Sequence, residues 1–165
     1  MKLIATALVA TALLFVGCSE KTKSATSKFI KDTLSQYKIE ESKKLIVEEF
    51  KKRNYQLISI YKHEENAKKL KVMLYPTYTI AVNNPKISTT LLQCNPTMSV
   101  DLPLRVGLYN EINGKTHFTF TDPEYWSLKH NVKDAKCLNL LLLVKRDLND
   151  IADILTKQED INETK

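Results

Sequence analysis

The chain has 165 residues, with 25 Lys and Arg against 19 Asp and Glu, and a net charge of +6. It contains only three glycines, Gly17, Gly107 and Gly114. Phosphate-binding loops, dinucleotide-binding loops and the G-x-S-x-G turn of serine hydrolases all need glycines at short spacing, so the composition excludes these sites. The lysines are interspersed with acids, which is typical of a solvated surface.

Residues 1–17 have the pattern of a signal peptide. Lys2 supplies a positive start, and "LIATALVATALLFV" is apolar but shorter than the about 20 residues of a membrane span. Gly17 and Cys18 follow, an arrangement that resembles the processing site of bacterial lipoproteins. In such signals the cysteine thiol receives a diacylglycerol and the new amino group an acyl chain such as palmitate. Cys18 is therefore predicted to be a lipid anchor; a plain signal peptide or an uncleaved anchor is the alternative.

The residue after the cysteine bears on location. An Asp there favours retention in the inner membrane, whereas this chain has Ser19, which predicts the outer membrane, facing the periplasm. Residues 18–27, which include "SEKTKSATS", are predicted to be the lipidated cysteine and a tether, residues 28–157 one domain, and residues 158–165 a frayed tail. Export makes nucleic acid an improbable partner.

The first half of the domain is predicted to alternate between strands and helices. "FIKDTLSQYKI" is predicted to be a strand, and "EESKKLIVEEFKKRN" a helix that ends at Asn54, because apolar residues such as Phe50 share one face. "YQLISIYKH" alternates and predicts a strand with both faces partly covered, with Ile58 and Ile60 on the same face. "EENAKKLKV" is predicted to be a short helix.

The second half continues the same alternation. "TYTIAV" is predicted to be a strand, and "PKISTTLLQC" a helix opened by Pro85. "PLRVGLYNEINGKTHFTFTD" predicts two strands joined around Asn113 and Gly114, and Asp122 is placed to cap the helix "PEYWSLKH". A last amphipathic helix follows from apolar residues spaced by three and four: Leu141, Val144, Leu148, Ile151 and Leu155. This pattern predicts an α+β fold with a mainly antiparallel sheet and helices on one face.

The order and spacing of several segments resemble a known family. These segments are "HEENAKKL", "YPTYTIAVNNPK", "TTLLQCNPTMSVDLPLRVGLYNE", "NGK" and "DPEYWSLKH". They resemble the bacterial and archaeal family named domain of unknown function 302, from about residue 28 to residue 157. The resemblance implies a compact α+β fold with a curved antiparallel sheet, and a homodimer. It implies no reaction.

Two histidines of these segments are candidates for a site. His63 and His130 fall at the ends of predicted elements, where binding residues are often placed. Imidazole can ligate a metal or a haem iron, and Asp101, Asp122 or Glu64 would orient the ring. No H-x₃-H or C-x-x-C spacing occurs, so no metal motif is predicted. The alternative is that both histidines are buried and structural.

Other residues have competing interpretations. Tyr125 is among the aromatic residues that would either line an apolar pocket or belong to the core, and His117 is expected to be exposed. Cys94 and Cys137 are the cysteines that remain after lipidation. An even count in an oxidising compartment predicts a disulfide, and two buried thiols are the alternative.

Three hypotheses for function follow. The first is a lipid-anchored, periplasm-facing binding or accessory domain that dimerises and holds haem or a small apolar ligand, with His63 or His130 at the rim. The second is an enzyme that uses His130 with Asp101 or Asp122 as acid and base. The third is a purely structural envelope lipoprotein.

Overall fold

The computed structural model describes residues 27–157. The predicted signal peptide, the tether except for its last residue, and the predicted tail lie outside the described residues. Within the part of the chain that is described, no helix combines the length and the apolar character that a membrane span requires.

Five strands form one antiparallel sheet. They are β1 (Ile30–Ser35), β2 (Gln56–Lys62), β3 (Thr77–Asn83), β4 (Leu104–Asn110) and β5 (Thr116–Thr121). Their order is β1-β5-β4-β3-β2, and each neighbouring pair is antiparallel. We name the two ends of the sheet by β4: the Leu104 end, where β4 begins, and the Asn110 end, where it finishes.

Five helices accompany the strands: three lie between strands and two follow β5. They are α1 (Ile39–Lys52), α2 (His63–Lys69), α3 (Pro85–Cys94), α4 (Pro123–Lys129) and α5 (Ala135–Thr156), with a 3₁₀ segment at Pro96–Val100. Asn84, Asp122 and Asp134 cap α3, α4 and α5 by accepting a hydrogen bond from a backbone N–H of the first turn. After α1 the chain reverses at Asn54, which has a positive φ of 63°.

The core lies between one face of the sheet and the helices. Alternate residues of β4 and β5, such as Val106, Leu108 and Phe118, are buried, and their neighbours along each strand are more exposed. The apolar seam predicted for the last helix is buried along α5 as well. The predicted α+β fold, with an antiparallel sheet covered by helices on one face, is therefore confirmed.

The structure differs from the sequence-based expectation at β2. The expected strand is present, but the prediction that both of its faces are partly covered is wrong. β2 is an edge strand, and its register with β3 shifts between Leu57 and Ser59. Ile58 lies at this irregularity and is 55% exposed, whereas Ile60 is half-buried. An edge strand has a neighbour on one side only, which the residue pattern does not reveal.

The hairpin forms where it was predicted, with a longer turn than Asn-Gly alone would give. Gly114 has φ 78°, while Asn113 does not have a positive φ. Glu111 N–H donates to the Lys115 carbonyl, and Gly114 N–H donates to the Glu111 carbonyl. Residues 111–115 therefore form the turn, and only its glycine needs the left-handed conformation.

Candidate functional site

The ring of His130 is held by hydrogen bonds on every side. Nε2 lies 2.5 Å from Asp101 Oδ2, and Nδ1 lies 2.7 Å from Thr97 Oγ1. The backbone N–H of His130 donates to the Trp126 carbonyl at 2.9 Å, and Asn95 Nδ2 donates to the His130 carbonyl at 2.6 Å. The side chain is only 4% exposed. All four polar groups of this residue thus have partners within the protein.

Asp101 is the charged partner in this cluster. Its carboxylate also contacts Lys129, whose Nζ lies 2.9 Å from Oδ2. Burial alone would raise the pKa of Asp101, but the hydrogen bonds from His130 and Lys129 outweigh burial and lower the pKa below its usual value. The cluster therefore joins the end of α4 to the segment that leads into β4.

The same geometry limits the chemistry that His130 can perform. Thr97, His130 and Asp101 have the connectivity of a hydroxyl–imidazole–carboxylate catalytic set. The ring is buried, however, and five of the surface grooves formed by residues 27–157 lack His130 in their linings. Both ring nitrogens are occupied, so binding a metal or a haem iron requires that one of these hydrogen bonds be broken.

His63 lies in a different part of the molecule. It is the first residue of α2 at the Asn110 end, and its Nε2 lies 2.8 Å from Thr79 Oγ1. Its ring also makes an edge contact with Tyr61, at 4.8 Å between centroids. Glu64, which we considered as its orienting acid, is buried and instead accepts the Thr77 N–H at 3.3 Å.

Asp122 and Tyr125 also lie outside the His130 cluster. Asp122 Oδ1 accepts the Glu124 N–H at 3.0 Å, as a helix cap does, and Oδ2 lies 3.2 Å from Lys145 Nζ. The Tyr125 ring stacks on Phe29 with centroids 4.2 Å apart. Of the five residues predicted for a ligand site, the structure brings together only Asp101 and His130.

Cys94 and Cys137 are joined as a disulfide, with Cα atoms 6.6 Å apart. The bond connects the last residue of α3 to the first turn of α5. Asp134, the cap of α5, has a carboxylate oxygen 3.9 Å from Cys94 Sγ. The bond thereby fixes the spacing of the two helices at one end.

The expectation that His117 is exposed is wrong. Its side chain is 14% exposed and stacks on Tyr109, with ring centroids 5.0 Å apart. Asp32 Oδ2 lies 3.1 Å from both His117 Nδ1 and the Tyr109 hydroxyl. Burial, followed by the charge of Asp32, raises the pKa of Tyr109 to about 12. The stack covers a histidine that the strand pattern assigns to the polar face.

A groove that the sequence did not indicate lies between α3 and α5. Its volume is about 480 Å³. The floor is apolar and contains Ile87, Leu140 and Leu143, while Asn54, Asn84 and Thr90 add polar groups. The remaining lining residues are charged: Arg53, Lys86, Lys136 and Asp147. These residues are far apart in sequence, so no local motif marks the groove.

The charges of the groove are unevenly compensated. Arg53 contacts Glu49, and its Nε lies 3.9 Å from Asp147 Oδ1, while the Tyr55 hydroxyl donates to Asp147 Oδ2 at 3.1 Å. Burial raises the pKa of Asp147, and the Tyr55 hydrogen bond and Arg53 offset only part of this effect. Lys86 and Lys136, by contrast, are exposed, and neither has a carboxylate within 4.0 Å among residues 27–157.

The family model described as domain of unknown function DUF302 matches residues 31–155. The chain belongs to the DUF302 family. This confirms the family predicted from the sequence, and the match covers most of the described domain. The family description assigns no activity.

A solved structure has the same fold. It is described as an uncharacterized conserved DUF302 protein from Bacillus stearothermophilus, and it superimposes with a TM-score of 0.70 at 18% sequence identity. The match covers 78% of this chain and 99% of that chain. The match therefore spans nearly the whole of that solved chain.

Curated proteins match over a shorter stretch. The fluoride-specific ion channels FluC 1 of Brucella suis and FluC 1 of Brucella abortus are each 33% identical to this chain over 70 residues. The aligned stretch is 42% of this chain and 28% and 26% of those proteins, respectively. This chain thus spans little more than a quarter of the curated relatives that it matches.

The His130 cluster leads to a prediction about stability. Replacing His130 with Ala is expected to lower the free energy of unfolding by about 2–4 kcal/mol, because it leaves buried hydrogen-bonding groups without partners. The control is His63→Ala, which removes one hydrogen bond at a half-buried position and is expected to cost about 1 kcal/mol or less. Urea unfolding at pH 7 measures both. Equal small losses would mean that His130 is not structural.

Asp101 and Asp147 are expected to affect the pH dependence of stability in opposite directions. The lowered pKa of Asp101 gives stability that is present above about pH 4 and is lost as pH falls through its folded-state pKa. The raised pKa of Asp147 has the opposite effect. It gives stability that is present below about pH 4 and is lost as pH rises through the folded-state pKa. The free energy of unfolding is measured in urea from pH 2 to pH 7. Asp101→Asn should reduce the loss of stability that accompanies a fall in pH, and Asp147→Asn should reduce the loss that accompanies a rise in pH. The same change in both variants would contradict these assignments.

Proposed function

We propose that this chain is a lipid-anchored, periplasm-facing binding domain that holds a small amphipathic anion in the groove between α3 and α5. The observation that supports this most directly is the combination of an apolar floor with two lysines, Lys86 and Lys136, that have no carboxylate partner among the described residues. A ligand with one apolar part and one negative group satisfies both features at once.

The dimensions and floor of the groove suit the apolar part of such a ligand. Small-molecule sites commonly have volumes of about 300–1,000 Å³ and mainly apolar linings, and the groove has about 480 Å³. Ile87 is buried, and Leu140 and Leu143 are half-buried, so these side chains present apolar surface without projecting fully into water. An alkyl chain against this surface gains about 25 cal/mol for each Å² removed from water.

The charged residues favour a negative head group. Lys86 lies in the first turn of α3 and Lys136 in the first turn of α5, and neither helix has an acidic side chain in its first turn. Arg53 adds positive charge, although Glu49 and Asp147 already engage it. Asp147 is the one carboxylate of the lining. It lies beside Arg53 and forms no ion pair with Lys86 or Lys136. A carboxylate or a phosphate is therefore the preferred head group.

Haem fits the described residues less well. Ligation of a haem iron by either predicted histidine needs a ring nitrogen that is free and faces a cavity. Both nitrogens of His130 are hydrogen bonded, His63 Nε2 bonds Thr79, and neither histidine lines the groove. The proposal therefore replaces haem, which the sequence left open, with an amphipathic anion.

One observation favours a second candidate, an acid–base enzyme. Asp101 and His130 are in direct contact, as such a pair requires. The ring would have to become accessible before it exchanged a proton with a substrate. Because it is buried and bonded at both nitrogens, binding remains the preferred proposal.

The anchor is supported by the residues around Cys18 and by the point at which the domain begins. Ser27 and Lys28 are exposed, so the chain enters the domain at its surface, where a tether can lead to a bilayer. A homodimer is part of the proposal as well, and the uncovered sheet face, where Ile30 and Leu34 are exposed, is a surface that a second copy would cover.

Binding in the groove is tested with dodecanoate and dodecyl phosphate, titrated below their micellar concentrations and followed by calorimetry. The uncharged dodecanol should bind more weakly. The double variant Lys86→Glu/Lys136→Glu should weaken binding of the anions by about tenfold or more, since charge-assisted contacts contribute about 1.5–3 kcal/mol each.

The control for that experiment is Lys38→Glu/Lys44→Glu, which makes the same change in charge outside the groove and should bind like the unaltered protein. Equal weakening in both variants would mean that only net charge matters. If no probe binds, the purely structural role is favoured. Added haemin serves as a separate probe, and a histidine-ligated absorption band that disappears in His63→Ala would overturn the choice of ligand.

The anchor is tested by expressing the full chain in a bacterium with labelled palmitate. The unaltered chain is expected to carry the label and to sediment with the outer membrane, and Cys18→Ser should lose both properties. The control Cys94→Ser/Cys137→Ser removes the other two cysteines and should keep the label. Label that persists in Cys18→Ser would contradict the lipoprotein assignment.

A further inference from the structure

Three of the large apolar side chains project unusually far from the domain. Ile112 is 82% exposed, Met73 79% and Leu70 75%, the highest values among the large apolar residues of the described chain. Val72 and Leu74, at 60% and 45%, lie beside two of them. Soluble proteins rarely cluster such residues on their surface without a partner.

These residues belong to two loops at the same end of the sheet. Residues 70–76 lead into β3, and residues 111–115 join β4 to β5. Because Thr77 pairs with Tyr109, and Asn110 N–H donates to the Pro76 carbonyl at 3.0 Å, the loops emerge side by side at the Asn110 end. We call Leu70, Val72, Met73, Leu74 and Ile112 the apolar tip.

Lysines surround the apolar tip. The nearest in sequence are Lys68, Lys69, Lys71 and Lys115, and none of them has a carboxylate within 4.0 Å among residues 27–157. Lys62 is also at this end and lies 3.5 Å from Glu65. Two further acids lie at this end: Glu64 is buried against Thr77, and Glu111, which is partly exposed, accepts from Asn113 and lies 3.3 Å from His117 Nε2. The five lysines at this end outnumber the three acids. The tip therefore carries apolar groups within a positive rim.

We infer that the apolar tip docks on an anionic lipid bilayer. The exposed apolar side chains enter the boundary between head groups and acyl chains, and the lysines contact the lipid phosphates. Each basic residue near an anionic surface strengthens binding by about fivefold, which is the equivalent of about 1 kcal/mol. Three unpaired lysines beside four apolar residues, in the stretch "KKLKVML", supply both contributions within seven residues of chain.

A second copy of the chain is a poorer occupant. A two-fold dimer places the same patch against itself, so the lysine-rich rim of one copy would face the same rim of the other. The tip is also formed by projecting loops, which need a groove or a deformable partner to cover them. A bilayer supplies a soft surface and negative charge together.

The length of the chain before residue 27 is compatible with this orientation. β1 begins at the Leu104 end, because Ile30 pairs with Thr121, so the domain is entered from the end opposite the tip. The sheet strands are about 20 Å long, and the nine or so residues from Cys18 to Ser27 can span about 30 Å when extended. An anchor at Cys18 thus permits contact of the tip with the same membrane, although docking does not depend on it.

The experiment uses a chain that begins at residue 27, so that no acyl chain contributes to binding. This choice is supported by the solved Bacillus chain, 99% of which is covered by the match. Flotation with vesicles of phosphatidylcholine containing 30% phosphatidylglycerol should recover the protein, and pure phosphatidylcholine should recover at least about tenfold less. Lys68→Glu/Lys69→Glu/Lys71→Glu should weaken binding on the order of 100-fold, and Leu70→Ser/Met73→Ser/Ile112→Ser by about tenfold or more.

Matched controls change the same types of residue elsewhere on the surface. Lys28→Glu/Lys51→Glu/Lys133→Glu and Val100→Ser/Leu128→Ser/Leu142→Ser alter exposed positions away from the tip. Both controls should float like the unaltered domain. Equal losses in the controls, or equal recovery with uncharged vesicles, would overturn the inference.

Two further measurements separate insertion from other outcomes. The chain has a single tryptophan, the buried Trp126, so Met73→Trp adds one reporter at the tip. Its emission should shift to the blue with anionic vesicles, and an unchanged spectrum would contradict insertion. Sedimentation velocity detects self-association, and a dimer that the apolar triple variant abolishes, together with no vesicle binding, would assign the tip to a second copy. Neither outcome depends on ligand binding in the α3–α5 groove.

Discussion

The sheet buries one of its faces against helices, and α5 is the element on which that burial depends most. Its apolar seam, from Leu141 to Leu155, is buried along the helix, and α5 contacts α1, α3, α4 and β1. The helix is therefore the support on which the other helices are positioned. The groove exists because α3 lies beside α5 and is joined to it through Cys94 and Cys137.

Buried polar groups fix the positions of segments that apolar packing alone would leave less well defined. The contacts of His130 with Thr97 and Asp101 attach the segment before β4 to the end of α4. The hydrogen bond from Tyr55 to Asp147 joins the start of β2 to α5 in the same way. Each bond adds little net stability, but removing one partner leaves a buried group unsatisfied, which costs more. These polar contacts therefore determine how the segments are placed more than they add to the stability of the fold.

Much of the fold follows from local patterns in the sequence. The seam of α5, the cap at Asp122 and the hairpin of β4 and β5 are set by residues close together in the chain, and each was predicted correctly. The exposure of β2 was not predicted correctly, because it depends on strand order, which places β2 at an edge. The burial of His117 depends likewise on Tyr109 of the neighbouring strand.

The candidate sites were less predictable for the same reason. Asp101 was named as a partner for His130, but the sequence does not reveal that Thr97 occupies the second ring nitrogen. The groove joins Arg53, Lys86 and Lys136, whose meeting depends on how three helices pack. In the sequence each of these lysines has the pattern of an ordinary solvated residue. Only their position on the groove, with no nearby carboxylate among the described residues, distinguishes Lys86 and Lys136 from other surface lysines.

The groove and the apolar tip lie toward opposite ends of the sheet, and this separation constrains how they work together. Asn54 and Asn84 place one end of the groove beside the Leu104 end, whereas the tip is at the Asn110 end. With the tip on a bilayer, that part of the groove lies about one strand length, roughly 20 Å, from the tip. This exceeds the Debye length of about 8 Å at physiological salt, so the exposed charges of the two surfaces act almost independently. A ligand of the groove would then be taken from the aqueous phase rather than drawn directly from the membrane beneath the tip.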